Sequence, residues 1–163
     1  MKIADKEWSY YWHIIMIPVL ILVLWNVAAF VVAYYSYSTY KSIFSGYSGL
    51  VLALAMYAFV GWTTVKDHKG TVKNGAWAGA VTGVLVGLIA AIINLLMVSM
   101  VPMIVQEAVA AALKQGTAGI NAARVQEFMM LGLYFGLLIG PLINGAIGAL
   151  VGAIGALVGK KTK

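Results

Sequence analysis

The sequence predicts an all-α integral membrane protein, a bundle of four transmembrane helices. Hydrophobic residues make up 63% of the 163-residue chain and charged residues only 10%, whereas soluble domains are about half apolar and about a quarter charged. Four apolar runs without Asp, Glu, Lys or Arg are each long enough to cross a bilayer core of about 30 Å as a helix. They cover residues 13–35, 47–65, 76–100 and 131–157. We therefore expect residues 1–163 to form a single polytopic membrane domain.

The segments between these runs are predicted to be connections on the membrane surfaces. Residues 36–46 form a short loop rich in Ser and Tyr, and residues 66–74 form a polar turn. The first run is too long for the apolar part of a signal peptide and ends in tyrosines, so we expect it to be retained as a helix.

The only sizeable extramembrane segment is predicted at residues 103–130, between the third and fourth helices. Pro102 should end or kink the third helix because it cannot donate a helical hydrogen bond. An Ala-rich stretch at 104–114 predicts a short helix on the outer surface. The sequence 115–119 predicts a break, and Asn121 is typical of an N-cap for a helix that continues into the fourth span.

The lysines and arginines predict which side of the membrane each connection faces. Positively charged residues favour cytoplasmic connections. Eight of the eleven fall at the two termini and in the second loop, which predicts cytoplasmic N- and C-termini. The net charge of +6 lies between and beyond the apolar runs, so an anionic lipid surface is a better partner than nucleic acid.

Glycines recur at every fourth position in the last two predicted helices. Residues four apart share one face of a helix, so each row predicts a face without side-chain bulk. The lipid bilayer provides no hydrophobic drive between helices, and such small faces permit close helix packing. The partner of each row is left open between a neighbouring helix and another subunit. The candidate packing residues are Gly75, Gly79, Gly83, Gly87, Gly132, Gly136, Gly140, Gly148 and Gly152.

The opposite flank of the last helix is predicted to face lipid. A seven-residue unit, GAIGALV, is written twice at 145–158 and places branched residues beside the small row. The stripe expected in the bilayer consists of Ile147, Leu150, Val151, Ile154 and Val158.

Three asparagines, Asn26, Asn94 and Asn144, fall inside predicted spans. Polar side chains in a membrane usually face the bundle interior, where they form packing bonds or mark a solute path. We expect interhelical hydrogen bonds, with a substrate or water-binding role as the alternative. If the third and fourth helices are antiparallel neighbours, Asn144 should lie at the level of Gly87. Pro141, one turn earlier, predicts a kink.

Patterns typical of catalysis or metal binding are missing. The two histidines have no second ligand at a useful spacing, and the sequence has no cysteine. Arg124 and Glu127 fit a surface pair on one helix that Glu107 could join. We therefore expect no enzyme activity, no cofactor and no metal.

The function that the sequence favours is a non-enzymatic packing or assembly module. It would be a glycine-zipper membrane protein that self-associates or serves as an accessory subunit of a membrane complex. The alternative is a small oligomeric channel, a transporter or a holin-like pore former, with the three asparagines along its path. A conduit should show a continuous polar cavity between helices or subunits, whereas a packing module should show asparagines bonded across helices and a dry interior.

Overall fold

A computed structural model describes residues 2–3, 6–114 and 122–162 of the chain, and the described part is all-α. A two-residue strand pair, β1 and β2, precedes the helices. The strands are β1 (Lys2–Ile3) and β2 (Lys6–Glu7), and the helices are α1 (Trp8–Tyr35), α2 (Tyr37–Ile43), α3 (Ser48–Lys66), α4 (Val72–Met100), α5 (Pro102–Lys114) and α6 (Ala122–Lys161).

Four helices, α1, α3, α4 and α6, are long and apolar enough to cross a membrane, as predicted. The predicted spans lie within these helices, except that the second span was predicted to begin at residue 47 and α3 begins at Ser48. The other three helices are longer than expected. Helix α1 begins at Trp8 and α4 at Val72. Helix α6 has 40 residues and is about 60 Å long, so it extends well beyond a bilayer core of about 30 Å.

The four long helices form an antiparallel bundle around α4, which contacts α1, α3 and α6. The largest interface joins α4 to α6. We call the end that holds Glu7, the α3–α4 connection and Lys161 the terminal end, and the opposite end the α5 end. The start of α1 and the end of α6 thus lie at one end of the bundle.

Three clusters of buried side chains follow the bundle axis. Near the terminal end, Tyr11 and Ile15 of α1 pack with Val60 of α3. The middle cluster includes Leu22 and Tyr57, and the cluster near the α5 end consists of Ala33, Ile93, Met97 and Val101. These contacts bring α1 against α3 and α4 in the first two clusters and against α4 near the α5 end.

The connections agree in part with the sequence-based expectations. Helix α4 ends at Met100 and Pro102 begins α5, so the proline does end the third span. The first loop is not irregular, since it contains the helix α2. Pro141 lies inside the continuous helix α6. The predicted break at 115–119 and the Asn121 cap lie outside the described residues.

An ion pair joins α2 to α5. Glu107 of α5 accepts hydrogen bonds from Tyr37 and Lys41 of α2, a contact that the sequence did not indicate. The bonds from Lys41 and then from Tyr37 hold the pKa of Glu107 below its usual value. Burial and the bond to Glu107 raise the pKa of Tyr37 to about 12.

The predicted lipid-facing stripe of α6 divides into two sets. Leu150, Ile154 and Val158 are exposed, with 69% of Leu150 accessible. Ile147 and Val151 instead pack against the middle cluster of the core. The expectation for these two residues was wrong. Ile147 directly precedes Gly148 and Val151 directly precedes Gly152, so both side chains lie at the edge of the helix face that contacts the bundle.

Candidate glycine interface and intramembrane cavity

Glycines bring the backbones of α4 and α6 into direct contact in the terminal half of the bundle. A methyl group on Gly152 would lie 2.6 Å from the Gly75 carbonyl oxygen, and one on Gly79 would overlap the Gly148 carbonyl oxygen. Carbon atoms in ordinary contact are about 3.5–4.0 Å apart. No larger residue fits at these positions without a shift of one helix. The α4 and α6 glycines with such contacts among those predicted are Gly75, Gly79, Gly83, Gly87, Gly148 and Gly152.

The register of α4 against α6 follows from the last contact in this series. A methyl group on Gly87 would lie 3.0 Å from Cβ of Asn144 and 3.0 Å from Cα of Pro141. Asn144 therefore lies at the level of Gly87, as the sequence predicts for antiparallel neighbours.

A second glycine contact, between α3 and α6, was not predicted. A methyl group on Gly155 would lie 2.9 Å from Cα of Ala58, and one on Gly159 would lie 2.8 Å from the Trp62 carbonyl oxygen. Gly61 approaches Gly152 in the same way. The sequence did carry a signal for this second contact. The glycines from 145 to 159 are alternately three and four residues apart, so together they form a helix face wide enough for two neighbouring helices.

The remaining predicted glycines, Gly132, Gly136 and Gly140, make no such contact. In the part of the chain that the structure describes, a methyl group at any of them would meet no atom of another element within 4 Å. Beyond Pro141, α6 and α4 are separated by a crevice of about 220 Å³, which Gly136 and Gly140 line together with Gly87 and other residues of α4. In α6, the glycines of the terminal half therefore contact α4, whereas those of the half near the α5 end do not. We call Gly132, Gly136 and Gly140 the open glycine row.

All three intramembrane asparagines line one cavity of about 290 Å³ between α1, α3, α4 and α6. Asn26 and Asn144 are half-buried, whereas Asn94 is exposed. Asn94 and Asn144 also line the crevice, which therefore borders the cavity. The sequence identified these residues and placed them along one path only in the conduit alternative.

The asparagine amides form bonds within their own helices. Asn26 donates to the Leu22 carbonyl oxygen at 2.7 Å, and Asn144 donates to the Gly140 carbonyl oxygen at 3.0 Å. Among the described residues neither amide, nor that of Asn94, is hydrogen-bonded across a helix interface. The interhelical bonds that we expected are thus replaced by local bonds, which leave the side-chain oxygens of Asn26 and Asn144 without a partner in the described part of the chain.

Tyr57 of α3 also lines the cavity, and its environment is unusual. It is 1% exposed, and its buried hydroxyl has no hydrogen-bond partner among the described residues. A buried polar group without a partner costs about 1–3 kcal/mol. The sequence analysis missed this residue, although a tyrosine in the middle of an apolar span was a visible signal.

The cavity wall is neutral. Besides the asparagines and Tyr57 it includes Trp25, Tyr40 and Phe44, and no Asp, Glu, Lys, Arg or His lines it. Among the described residues, no group of three or more His, Cys, Asp or Glu side chains could hold a metal ion. The wall offers uncharged hydrogen-bonding groups and aromatic surfaces, and its described residues include no counter-charge for an ion.

Comparison with known proteins gives no relative: no family model, no curated protein and no solved structure matches the chain.

Proposed function

We propose that this chain is a non-enzymatic multi-pass membrane protein that serves as an assembly module, and that the open half of α6 packs against a second copy. The observation that carries this proposal is the contrast within α6. Gly148 and Gly152 contact α4 directly, whereas a methyl group added to Gly132, Gly136 or Gly140 would meet no atom of another described element within 4 Å.

The physical reason concerns packing in lipid. Helices in a bilayer associate through close backbone approach, because lipid tails are as apolar as leucine. The open glycine row offers such an approach: Gly136 and Gly140 border the crevice beside α4, and no described helix packs onto them. Copies inserted in one membrane share one orientation, so a two-fold contact would place Gly136 against Gly136 of the second copy.

The conduit alternative is supported less well. Between the cavity and the terminal end, fully buried side chains fill the bundle interior, as expected of a closed core. They are Val60, Thr64, Ala78 and Thr82. Thr64 and Thr82 donate to carbonyl oxygens of their own helices. This filling disfavours a continuous path through a single copy, whereas the bonds of the three asparagines across helices that are expected of a packing module are absent among the described residues.

We also propose that both termini are cytoplasmic. Lys66, Lys69 and Lys73 lie at the same end of the bundle as Lys160 and Lys161, and lysines accumulate on the cytoplasmic side. A membrane-impermeant thiol reagent tests this in intact cells: a cysteine at Lys69 should be protected, and one at Lys41 should be labelled. The reverse pattern would overturn the orientation.

The assembly proposal is tested by the oligomeric state of the full chain. Fluorescently tagged protein in dilute lipid vesicles should bleach in two steps, and Gly136→Ile should bleach in one. Ile154→Leu is the control, since Ile154 is 59% exposed, lies five helical turns from Gly136 and keeps a branched apolar side chain, so it should leave two steps. Helical circular dichroism shows that each variant is folded. Equal bleaching of Gly136→Ile and the wild type would refute the proposal.

A further inference from the structure

The cavity that holds the three asparagines supports an inference independent of assembly. We propose that it is a binding site for a small neutral molecule that carries a carboxamide group beside a planar apolar ring. The wall residues that carry this inference are Asn26, Asn144, Tyr57, Trp25 and Phe44.

The unused hydrogen-bonding groups of the wall indicate which polar group the ligand carries. Asn26 and Asn144 each donate one N–H to a carbonyl of their own helix. An amide has two N–H donors and an oxygen that accepts, so each side chain keeps one donor and its acceptor. A carboxamide presents the same donor and acceptor side by side and pairs with an asparagine through two bonds. The unpartnered hydroxyl of Tyr57 supplies a further donor and acceptor.

The rest of the wall gives the ligand's charge and shape. Without a charged or histidine residue in the wall, an ion would lose its hydration without compensation, so the ligand is neutral. The rings of Trp25 and Phe44 lie 4.8 Å apart, and Phe44 stacks on Tyr40. Aromatic surfaces of this kind favour a planar apolar group.

The volume limits the size. A cavity of about 290 Å³ corresponds to roughly ten water molecules at about 30 Å³ each. It is at the lower end of the range for small-molecule pockets, about 300–1,000 Å³. An aromatic amide of one ring fits this volume.

The test uses benzamide as the probe and the full chain in lipid nanodiscs. Equilibrium dialysis of radiolabelled benzamide should show saturable binding of about one molecule per chain above the uptake by empty nanodiscs. Unlabelled benzamide should compete, whereas ethylbenzene and benzoate should compete at least about tenfold less well. Equal competition by ethylbenzene would indicate an apolar or acyl-chain site and overturn the proposal. Uptake equal to that of empty nanodiscs would overturn it too.

Two variants connect binding to the named side chains. Tyr57→Phe should weaken benzamide binding about tenfold, the loss expected for one hydrogen bond. Asn26→Leu, which keeps the shape of the side chain, should weaken it at least as much. Tyr134→Phe is the matched control, because Tyr134 lies 53% exposed on α6 and outside the cavity. Unchanged binding in folded Tyr57→Phe and Asn26→Leu proteins would place benzamide elsewhere and refute the assignment.

Discussion

A methyl group added to Gly79 would overlap the carbonyl oxygen of Gly148 and lie 2.9 Å from its carbonyl carbon. The two atoms it would meet belong to the backbone, which cannot rotate away as a side chain can. The distance between α4 and α6 is therefore set by the absence of a side chain at this level. At Gly136, on the same helix as Gly148, the same added group would be unopposed.

Replacing Gly79 by alanine should destabilise the bundle. Alanine stabilises a helix relative to glycine by up to about 1 kcal/mol, but overpacking a tight interface costs about 1–3 kcal/mol. Because the neighbouring backbone of α6 cannot move aside, we expect the cost to exceed the gain. We expect a lower free energy of unfolding in detergent titrations followed by circular dichroism. Gly136→Ala is the matched control and should be as stable as the wild type or slightly more so. Equal stability of both variants would contradict the contact.

Removing a hydroxyl from Tyr57 or from Tyr11 should have opposite effects. The Tyr57 hydroxyl has no partner among the described residues, so Tyr57→Phe should leave stability unchanged or raise it by about 1 kcal/mol. The Tyr11 hydroxyl accepts a bond of 3.0 Å from Nδ2 of Asn74 in the core, so Tyr11→Phe should lower stability by about 1 kcal/mol. The same unfolding titration measures both. A loss in Tyr57→Phe that matches that of Tyr11→Phe would mean that the Tyr57 hydroxyl is bonded.

The contact between α2 and α5 should depend on pH. The pKa of Glu107 is lowered in the fold, so its contribution is complete above the ordinary value of 4.5 and is lost as pH falls through the lower folded value. Tyr37, with a pKa of about 12, remains a donor throughout this range. Spin labels at Ser42→Cys and Ala110→Cys should give a narrow distance distribution at neutral pH and a broad one in acid.

The variant Glu107→Gln should broaden this distribution at neutral pH, because it removes the charge that Lys41 contacts. Glu127→Gln, which removes an exposed carboxylate of α6, is the control and should behave as the wild type. If the distance distribution changed neither in acid nor in Glu107→Gln, the ion pair would not be what holds α2 against α5.

The four spans and the α4–α6 register could be predicted from sequence because both depend on local pattern. An uncharged apolar run fixes where a helix can lie in the bilayer. A four-residue row fixes which face is small, and two rows on antiparallel helices align in few ways, which is why Asn144 was correctly placed beside Gly87.

The shared cavity and the division of α6 could not be predicted, because they depend on how four helices are rotated and separated. Gly136 and Gly148 are twelve residues apart and so about 120° apart around the helix, but the spacing does not show where contact with α4 is lost; of the predicted glycines of α6, only Gly148 and Gly152 contact it. The single Tyr57 has no periodicity to indicate its direction. Ile147 and Val151 were misplaced for a related reason, since they lie at the edge of the face that packs.

The proposal that the open glycine row contacts a second copy is tested most directly by cysteine cross-linking in native membranes. The chain has no cysteine, so single substitutions along α6 from 131 to 142 report only the position chosen. We expect disulfide-linked dimers to form most at positions 132, 136 and 140. They should form least on the opposite face, at Tyr134, Leu138 and Leu142, which lie more than half exposed. Cross-linking that is strongest at these three, or that shows no helical period, would contradict the account.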